Sequence, residues 1–346
     1  MTWIASALLS AVIGTSVGAA TALTPLVPAE CELKRSVVFG GLDWDSNAFH
    51  VAVASYILNK AYGCKTETIP GSTIPMLAGI GHGDVDILME VWRDQSTEAW
   101  AKLEAAGKVF DIGTNFADAR QGFFVPRYLV EKIDGHEPLA KGLKSVSDLP
   151  RFRTLFTDPE EPKKGRFYNC ILGWTCEIVN TKKLKVYGLL EHFVNFRSGT
   201  GAALAAAIAS AYAKRVPFVS YYWGPSWVLG AFDLVQLEEP PYERTAWVEF
   251  NNSPDPKATT AYPTVEVGIA VSKKFKDTAP GLVSFLSNYH TSSSLINTAL
   301  SEIHHNVNAK MESIAVKFLR ENQDVWRQWL PEERFRRVAD ALSFEK

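Results

Sequence analysis

Four tryptophans stand where a ligand could meet them. Trp44 follows the first run that reads as a strand, Trp92 follows the apolar run 85–91, and Trp223 closes the run 217–223. Trp174 joins them from the short loop between Cys170 and Cys176. In open α/β sheets, ligands bind beyond the carboxyl ends of the strands, so rings from separate parts of the chain point toward one rim. A cluster of indole faces suits a cation that cannot donate hydrogen bonds. A trimethylammonium group has a diffuse charge and an apolar surface, so a carboxylate partner gains it little over water, whereas indoles attract the charge and bury the methyls. Each desolvated contact of this kind contributes on the order of 2 kcal/mol, and three approach the ~8 kcal/mol of micromolar binding. Taken singly, each ring is as readily ordinary core, since most tryptophans are largely buried without binding anything.

Other chemistries find less support. Asp43, Asp45 and Glu90 fall near the same rim and mimic an acid/base set, but no nucleophile with its base and oxyanion donors accompanies them. No catalytic residue is assigned and no enzyme is expected. Gly79-Ile80-Gly81-His82-Gly83-Asp84 looks superficially like a nucleotide loop, yet it precedes a strand instead of joining a strand to a helix, and reads as a turn. Gly199-Thr200-Gly201 does open a helix after a strand, but without the Lys of a phosphate loop it reads as a cap and tight turn. The seven histidines are scattered, and the adjacent His304 and His305 would diverge by about 100° on a helix. Neither a metal nor a cofactor is expected. With 36 basic and 38 acidic residues interspersed and a net charge of −2, no basic face exists to neutralise phosphates, which excludes a nucleic-acid partner.

The elements that must position these residues alternate. Residues 37–39 read as a strand, and Ser46 is placed to cap a helix whose inner face carries Phe49, Ala52, Val53, Tyr56 and Ile57. Strand 65–70, a short helix 74–80, the buried strand 85–91 and a helix from Ser96 to about residue 106, stopped by Gly107, follow. Residues 122–126 form a further strand and a hinge into a second lobe, while 133–165 carries short helices at most. Alternation then resumes: strand 193–196, an Ala-rich helix to about 213, strands 217–223 and 234–237, and a polar, Pro-containing return at 251–262. Strand 265–271 and two amphipathic helices, marked by Leu282 to Tyr289 and by Ile314 to Leu319, finish the chain. This spacing predicts α/β lobes with a largely parallel sheet.

The first 29 residues hold no Lys, Arg, Asp or Glu and offer small-residue cleavage sites ending at Ala20, Ala22 and Ala29, so 1–29 reads as a secretory signal peptide. Four cysteines suit an oxidising compartment. Cys31 and Cys64 precede the first and second strands of a right-handed strand-helix-strand unit, at the same end of neighbouring strands. Cys170 and Cys176 flank one turn. The pairs Cys31–Cys64 and Cys170–Cys176 are therefore expected. A zinc site is the rival, but no His is spaced to join them.

Several segments resemble one family. Tyr168-Asn169-Cys170-Ile171-Leu172-Gly173-Trp174-Thr175-Cys176-Glu177 is similar to the disulfide-closed Trp loop of bacterial glycine betaine/proline betaine-binding proteins. Ser220-Tyr221-Tyr222-Trp223-Gly224-Pro225-Ser226-Trp227-Val228, Met89-Glu90-Val91-Trp92 and Gln121-Gly122-Phe123-Phe124 match further signatures in the same order. The likeness runs from about Val37 to Trp329. It implies a type II periplasmic-binding-protein fold, two α/β lobes joined by a two-segment hinge, with 30–118 and 246–346 in lobe I and 119–245 in lobe II. It also implies a monomeric periplasmic receptor that closes near Gln121 and the return crossing and then docks on an inner-membrane ABC permease. By motif match, Trp92, Trp174 and Trp223 form an aromatic box around a quaternary ammonium, and the backbone N–H groups of Thr175 and Cys176 hold a ligand carboxylate.

Two positions depart from the pattern. Four residues after Trp92, close relatives carry a His on that carboxylate; here Ser96 stands instead and offers one hydrogen bond without charge. Choline-binding relatives place a Trp where Trp44 lies, with an acidic residue two positions on; here that position is Ser46, with Asp43 and Asp45 flanking the ring. Glycine betaine or proline betaine is the first expectation, choline or carnitine the alternative. A periplasmic enzyme acting on a quaternary amine and a sensory receptor are the readings of other kinds.

Overall fold

The first strand, β1 (Val37–Leu42), buries Val37 and Phe39 on one face and Leu42 on the other. A computed structural model of the chain describes residues 1, 29–93, 97–306 and 308–345. The leader therefore lies almost wholly outside the described residues, as does Ser96. Helix α1 (Asp45–Tyr62) follows β1 and buries Phe49, His50, Val53, Ala54, Ile57 and Leu58 along one face. Ser46 does not cap it: the N-cap is Trp44, without a side-chain cap, and Ser46 is buried in the first turn. Gly63 ends the helix at φ +67°, where its N–H reaches back to the Asn59 carbonyl.

Beyond it come β2 (Thr66–Gly71), α2 (Thr73–His82), the wholly buried β3 (Ile87–Val91) and α3 (Thr97–Ala105). Strand β4 (Val109–Pro126) is 18 residues long, where the sequence suggested only its last five. Its stretch 111–120 (Asp-Ile-Gly-Thr-Asn-Phe-Ala-Asp-Ala-Arg) lacks a clean two-residue period because the pairing slips between Asp111 and Gly113, between Thr114 and Phe116 and between Phe116 and Ala119.

A second run of elements follows: α4 (Arg127–Val130), β5 (Gly165–Asn169), α5 (Thr175–Val186), β6 (Phe193–Arg197), α6 (Gly201–Ala213), β7 (Val219–Gly224), α7 (Trp227–Ala231), β8 (Leu234–Gln236) and α8 (Arg244–Asn252). The sequence reading passed over β5 and α8. Thr200 caps α6 by accepting the Ala203 N–H, which accounts for the Gly-Thr-Gly motif as a helix start. β9 (Val265–Ser272) returns the chain, and α9 (Lys273–Thr278), α10 (Pro280–Asn288), α11 (Ser293–His305), α12 (Met311–Glu321), α13 (Gln323–Trp326) and α14 (Glu332–Phe344) close it. The two terminal helices expected from periodicity are α10 and α12; the helices between and after them were not foreseen.

The sheet runs β2-β1-β3-β9-β4-β7-β5-β6, with β8 also on β4. Its flanks are parallel, β1 with β2 and β3, β5 with β6 and β7. Its centre is not. β9 is antiparallel to β3 and β4, and β4 is antiparallel to β7 and β8, so the largely parallel sheet expected from the element spacing is a mixed one. The reason is β4: it pairs with β9 as far as Ala119 and with β7 from Arg120, so two parallel units are joined through strands running the other way. The disulfides are Cys31–Cys64 and Cys170–Cys176, and no cysteine is free. Among the described residues, no helix is long and apolar enough to cross a membrane.

Candidate functional site

The strand ends bring the rings together. One pocket is lined by Trp44, Glu90 and Trp92 from the β1–β3 side and by Trp174, Thr175, Cys176, Tyr221 and Trp223 from the β5–β7 side. Leu42, Leu77, Leu88 and Val91 complete its apolar wall, together with Thr73. Trp174 stands at the middle. Its ring centroid lies 5.6 Å from Trp44 at 84° and 5.2 Å from Trp223 at 90°, both edge-to-face. Trp223 is stacked at 4.6 Å on Tyr222, and Trp92 meets Phe116 edge-on at 6.2 Å.

Trp174 also crosses between the two sides of the sheet. Its indole N–H donates to the Asp43 carboxylate at 2.5 Å. Two glycines let the backbone in close. A Cβ on Gly201 would come within 2.8 Å of the Trp174 ring, and Gly173, at φ +94°, would carry one 2.6 Å from the Ser72 hydroxyl oxygen. The Cys170–Cys176 bridge closes the loop that carries Trp174, which is itself the N-cap of α5 and provides no side-chain cap. The first turn of α5, with Thr175 and Cys176, therefore faces the pocket with its dipole's positive end.

Beneath the rings lies a carboxylate. Glu90, on β3, is 2% exposed, and one of its oxygens accepts the indole N–H of Trp44 at 2.7 Å and of Trp92 at 3.3 Å. Its other oxygen, Oε1, has no hydrogen-bond partner and sits 3.8 Å from Nε2 of the fully buried His50, which also lacks one. The other ring nitrogen of His50 bonds the Tyr289 hydroxyl at 2.8 Å. The sequence placed Glu90 near the rim; its role as acceptor for two box indoles was missed, although an acid inside the apolar Ile-Leu-Met-Glu-Val run was a signal. Tyr221 was missed as well, and its position two residues before Trp223, on the same strand face, was the signal there.

Burial pushes the Glu90 carboxyl from an ordinary 4.5 up to about 7, against the pull of the Trp44 N–H, Ser46 and Trp92 N–H. Burial likewise pushes His50 from 6.5 down to about 3. Near pH 5.5, therefore, both groups are neutral in the fold and both ionised in the unfolded chain. The stability due to Glu90's raised value is complete below 4.5 and lost as pH climbs through about 7. That due to His50's lowered value is complete above 6.5 and lost as pH falls toward about 3. Between 4.5 and 6.5 the two slopes oppose one another. In Glu90→Gln only the histidine slope survives, so urea denaturation of that variant is expected to show stability falling on acidification through this window more steeply than in the wild type. Parallel pH profiles of the two proteins would refute the assignment.

The structure thus brings Trp44, Trp92, Trp174, Trp223, Thr175 and Cys176 to one pocket, while Ser96 lies outside the described residues. Among the described residues, no group of three or more His, Cys, Asp or Glu is arranged to hold a metal ion.

Comparison with known proteins follows the same line. Residues 35–321 match the family described as the substrate-binding domain of ABC-type glycine betaine transport systems, OpuAC. The glycine betaine-binding periplasmic protein OusX of Dickeya dadantii is 26% identical over 165 residues, 46% of this chain and 47% of that protein. The chain thus aligns with about half the length of this curated relative. Among solved structures, the glycine betaine/L-proline-binding protein ProX of Borrelia burgdorferi gives a TM-score of 0.69 at 19% identity, covering 88% of this chain and 100% of that one. A choline-binding protein of an ABC transporter, in complex with choline, gives 0.69 at 18% identity, covering 89% and 98%. These structures share the fold of this chain, the type II periplasmic-binding-protein architecture expected from the sequence.

Proposed function

Since this chain belongs to the family of substrate-binding domains of ABC-type glycine betaine transport systems, we propose that it captures one small quaternary-ammonium osmolyte in its tryptophan box and hands it to a membrane permease. The observation that carries this reading is the convergence of four indoles, from four separate segments, on one pocket whose described lining contains no Lys or Arg. Such a surface offers a permanent cation π faces and apolar contact, and offers an amine or a metal ion little. Glycine betaine fits the box together with the first turn of α5, whose backbone N–H groups at Thr175 and Cys176 would hold the ligand carboxylate. Choline is the other ligand this reading admits, favoured by one feature: Trp44 packs directly against Trp174 as a fourth wall.

In this reading the chain is secreted by its leader, residues 1–29, and works in the periplasm as a monomer without catalytic residues. Its lobes, 30–118 with 246–346 and 119–245, close on the ligand about β4 near Gln121 and the return crossing, and the closed form docks on the permease.

Calorimetry tests it directly. Glycine betaine, proline betaine, choline or carnitine is expected to give saturable, one-to-one heat and to shift or quench tryptophan fluorescence, with the ligand recovered unchanged. The absence of heat with all four sinks the assignment, and a product formed from any of them moves it to an enzyme.

A further inference from the structure

Glu90 is a buried acid that makes no ion pair with a Lys or Arg among the described residues; the base beside it is His50, whose Nε2 lies 3.8 Å from Oε1. Its Oε2 is engaged by two neutral indole donors and its Oε1 by none, and no Lys or Arg is among the described residues that line the pocket in front of it. The groups that face it from each neighbouring element are accounted for. From α1 come His50 and Ser46; behind His50 stands the Tyr289 hydroxyl, from the end of α10. Phe116 of β4 stacks on His50, and Asn115 beside it bonds the Met89 carbonyl. The nearest guanidinium along the chain, Arg93, is ion-paired with Asp111 of β4. Asp43, which accepts the Trp174 N–H, and the half-buried Asp45 add further acid at the same rim.

A carboxylate buried without a counter-charge is costly until something positive is brought to it. Glu90 lines the same pocket as the four indoles. Ring faces whose N–H groups donate to carboxylates, as those of Trp44, Trp92 and Trp174 do, are also more electron-rich toward a cation. A zwitterion brings its own negative group within a bond or two of the ammonium and cancels most of this gain.

Resting on the receptor reading above, we propose that Glu90 sets the charge class of the ligand: the box takes a net cation bearing a hydroxyl, of the choline type, in preference to a zwitterion of the betaine type, and takes it with Glu90 ionised. Glu90 acts through Trp44 and Trp92 as well as by its charge, so affinity alone would not separate a positioning role from an electrostatic one. The ratio of two affinities does. Glu90→Gln keeps an oxygen for the two indoles and removes the charge.

By calorimetry at pH 7.5, wild type is expected to bind choline more tightly than glycine betaine. In Glu90→Gln the choline affinity is expected to fall roughly tenfold or more, and the glycine betaine affinity less than about threefold. A ratio that stays within about twofold of wild type overturns the inference while leaving the receptor reading intact. So does a wild type that takes glycine betaine and refuses choline. A wild type that binds neither compound overturns both. A second measurement needs no variant. With Glu90 titrating near neutrality, choline binding at pH 7 is expected to release protons, so its heat should vary with the ionisation enthalpy of the buffer, whereas that of glycine betaine should vary less. Buffer-independent heat with choline overturns the inference even if the variant fails to fold.

Discussion

Replacing Trp174 by Ala is expected to weaken quaternary-ammonium binding about thirtyfold or more, a loss of ~2 kcal/mol or greater. Of the four tryptophans it is the one with described ring contacts to two others. Trp174 meets Trp44 and Trp223 edge-to-face, and its N–H reaches across to Asp43. Truncation removes one wall, leaves two rings without their edge contact and cuts a polar tie between the two sides of the pocket. Trp174→Phe is expected to fall between, since it keeps an aromatic face and loses the donor. The measurement is a calorimetric titration with the preferred ligand, beside a thermal melt to check folding. If Trp174→Ala binds within about threefold of wild type, the rings are core and not a binding box.

A second large effect should appear far from the pocket. Lys183 on α5 is wholly buried, with its ammonium 2.8 Å from Glu239, 3.1 Å from the Tyr187 hydroxyl and bonded to the Thr260 carbonyl. The Tyr262 ring lies 4.4 Å from it. Burial draws the Lys183 ammonium below its ordinary 10.5 while Glu239 holds it up. Glu239→Ala leaves that cation uncompensated and is expected to destabilise the fold by about 3–5 kcal/mol in urea denaturation. Lys183→Met with Glu239→Leu, which removes both charges at similar volume, is expected to recover most of the loss. A Glu239→Ala variant as stable as wild type would show that the pair is solvated in solution.

How far the sequence could be read depends on the range of the interaction concerned. Trp44, Trp92 and Trp223 were legible because strand ends are local features, and a fold of alternating strands and helices fixes where such ends point. Gly83 and Gly107 sit at positive φ just past α2 and α3, where a helix stop needs them. Both disulfides followed from local spacing. Lys183 was not legible: in Thr-Lys-Lys-Leu-Lys it looks like one of three solvated cations, and only Glu239 and Thr260, more than fifty residues on, bring it inside. Glu90 was half legible, as an acid in an apolar run, but its partners come from β1, α1 and the end of α10. Ser46 misled because a Ser beside an acidic residue fits a cap in isolation, while the chain turns into α1 two residues earlier, at Trp44.

β4 is one unbroken ribbon, zipped to β9 along its first part and to β7 and β8 along its last. A strand shared in this way behaves as a torsion bar and not as a slack tether. Separating the walls of the pocket means twisting a hydrogen-bonded ladder, and the places where that costs least are the slipped pairings between Asp111 and Ala119, where the ladder is already interrupted.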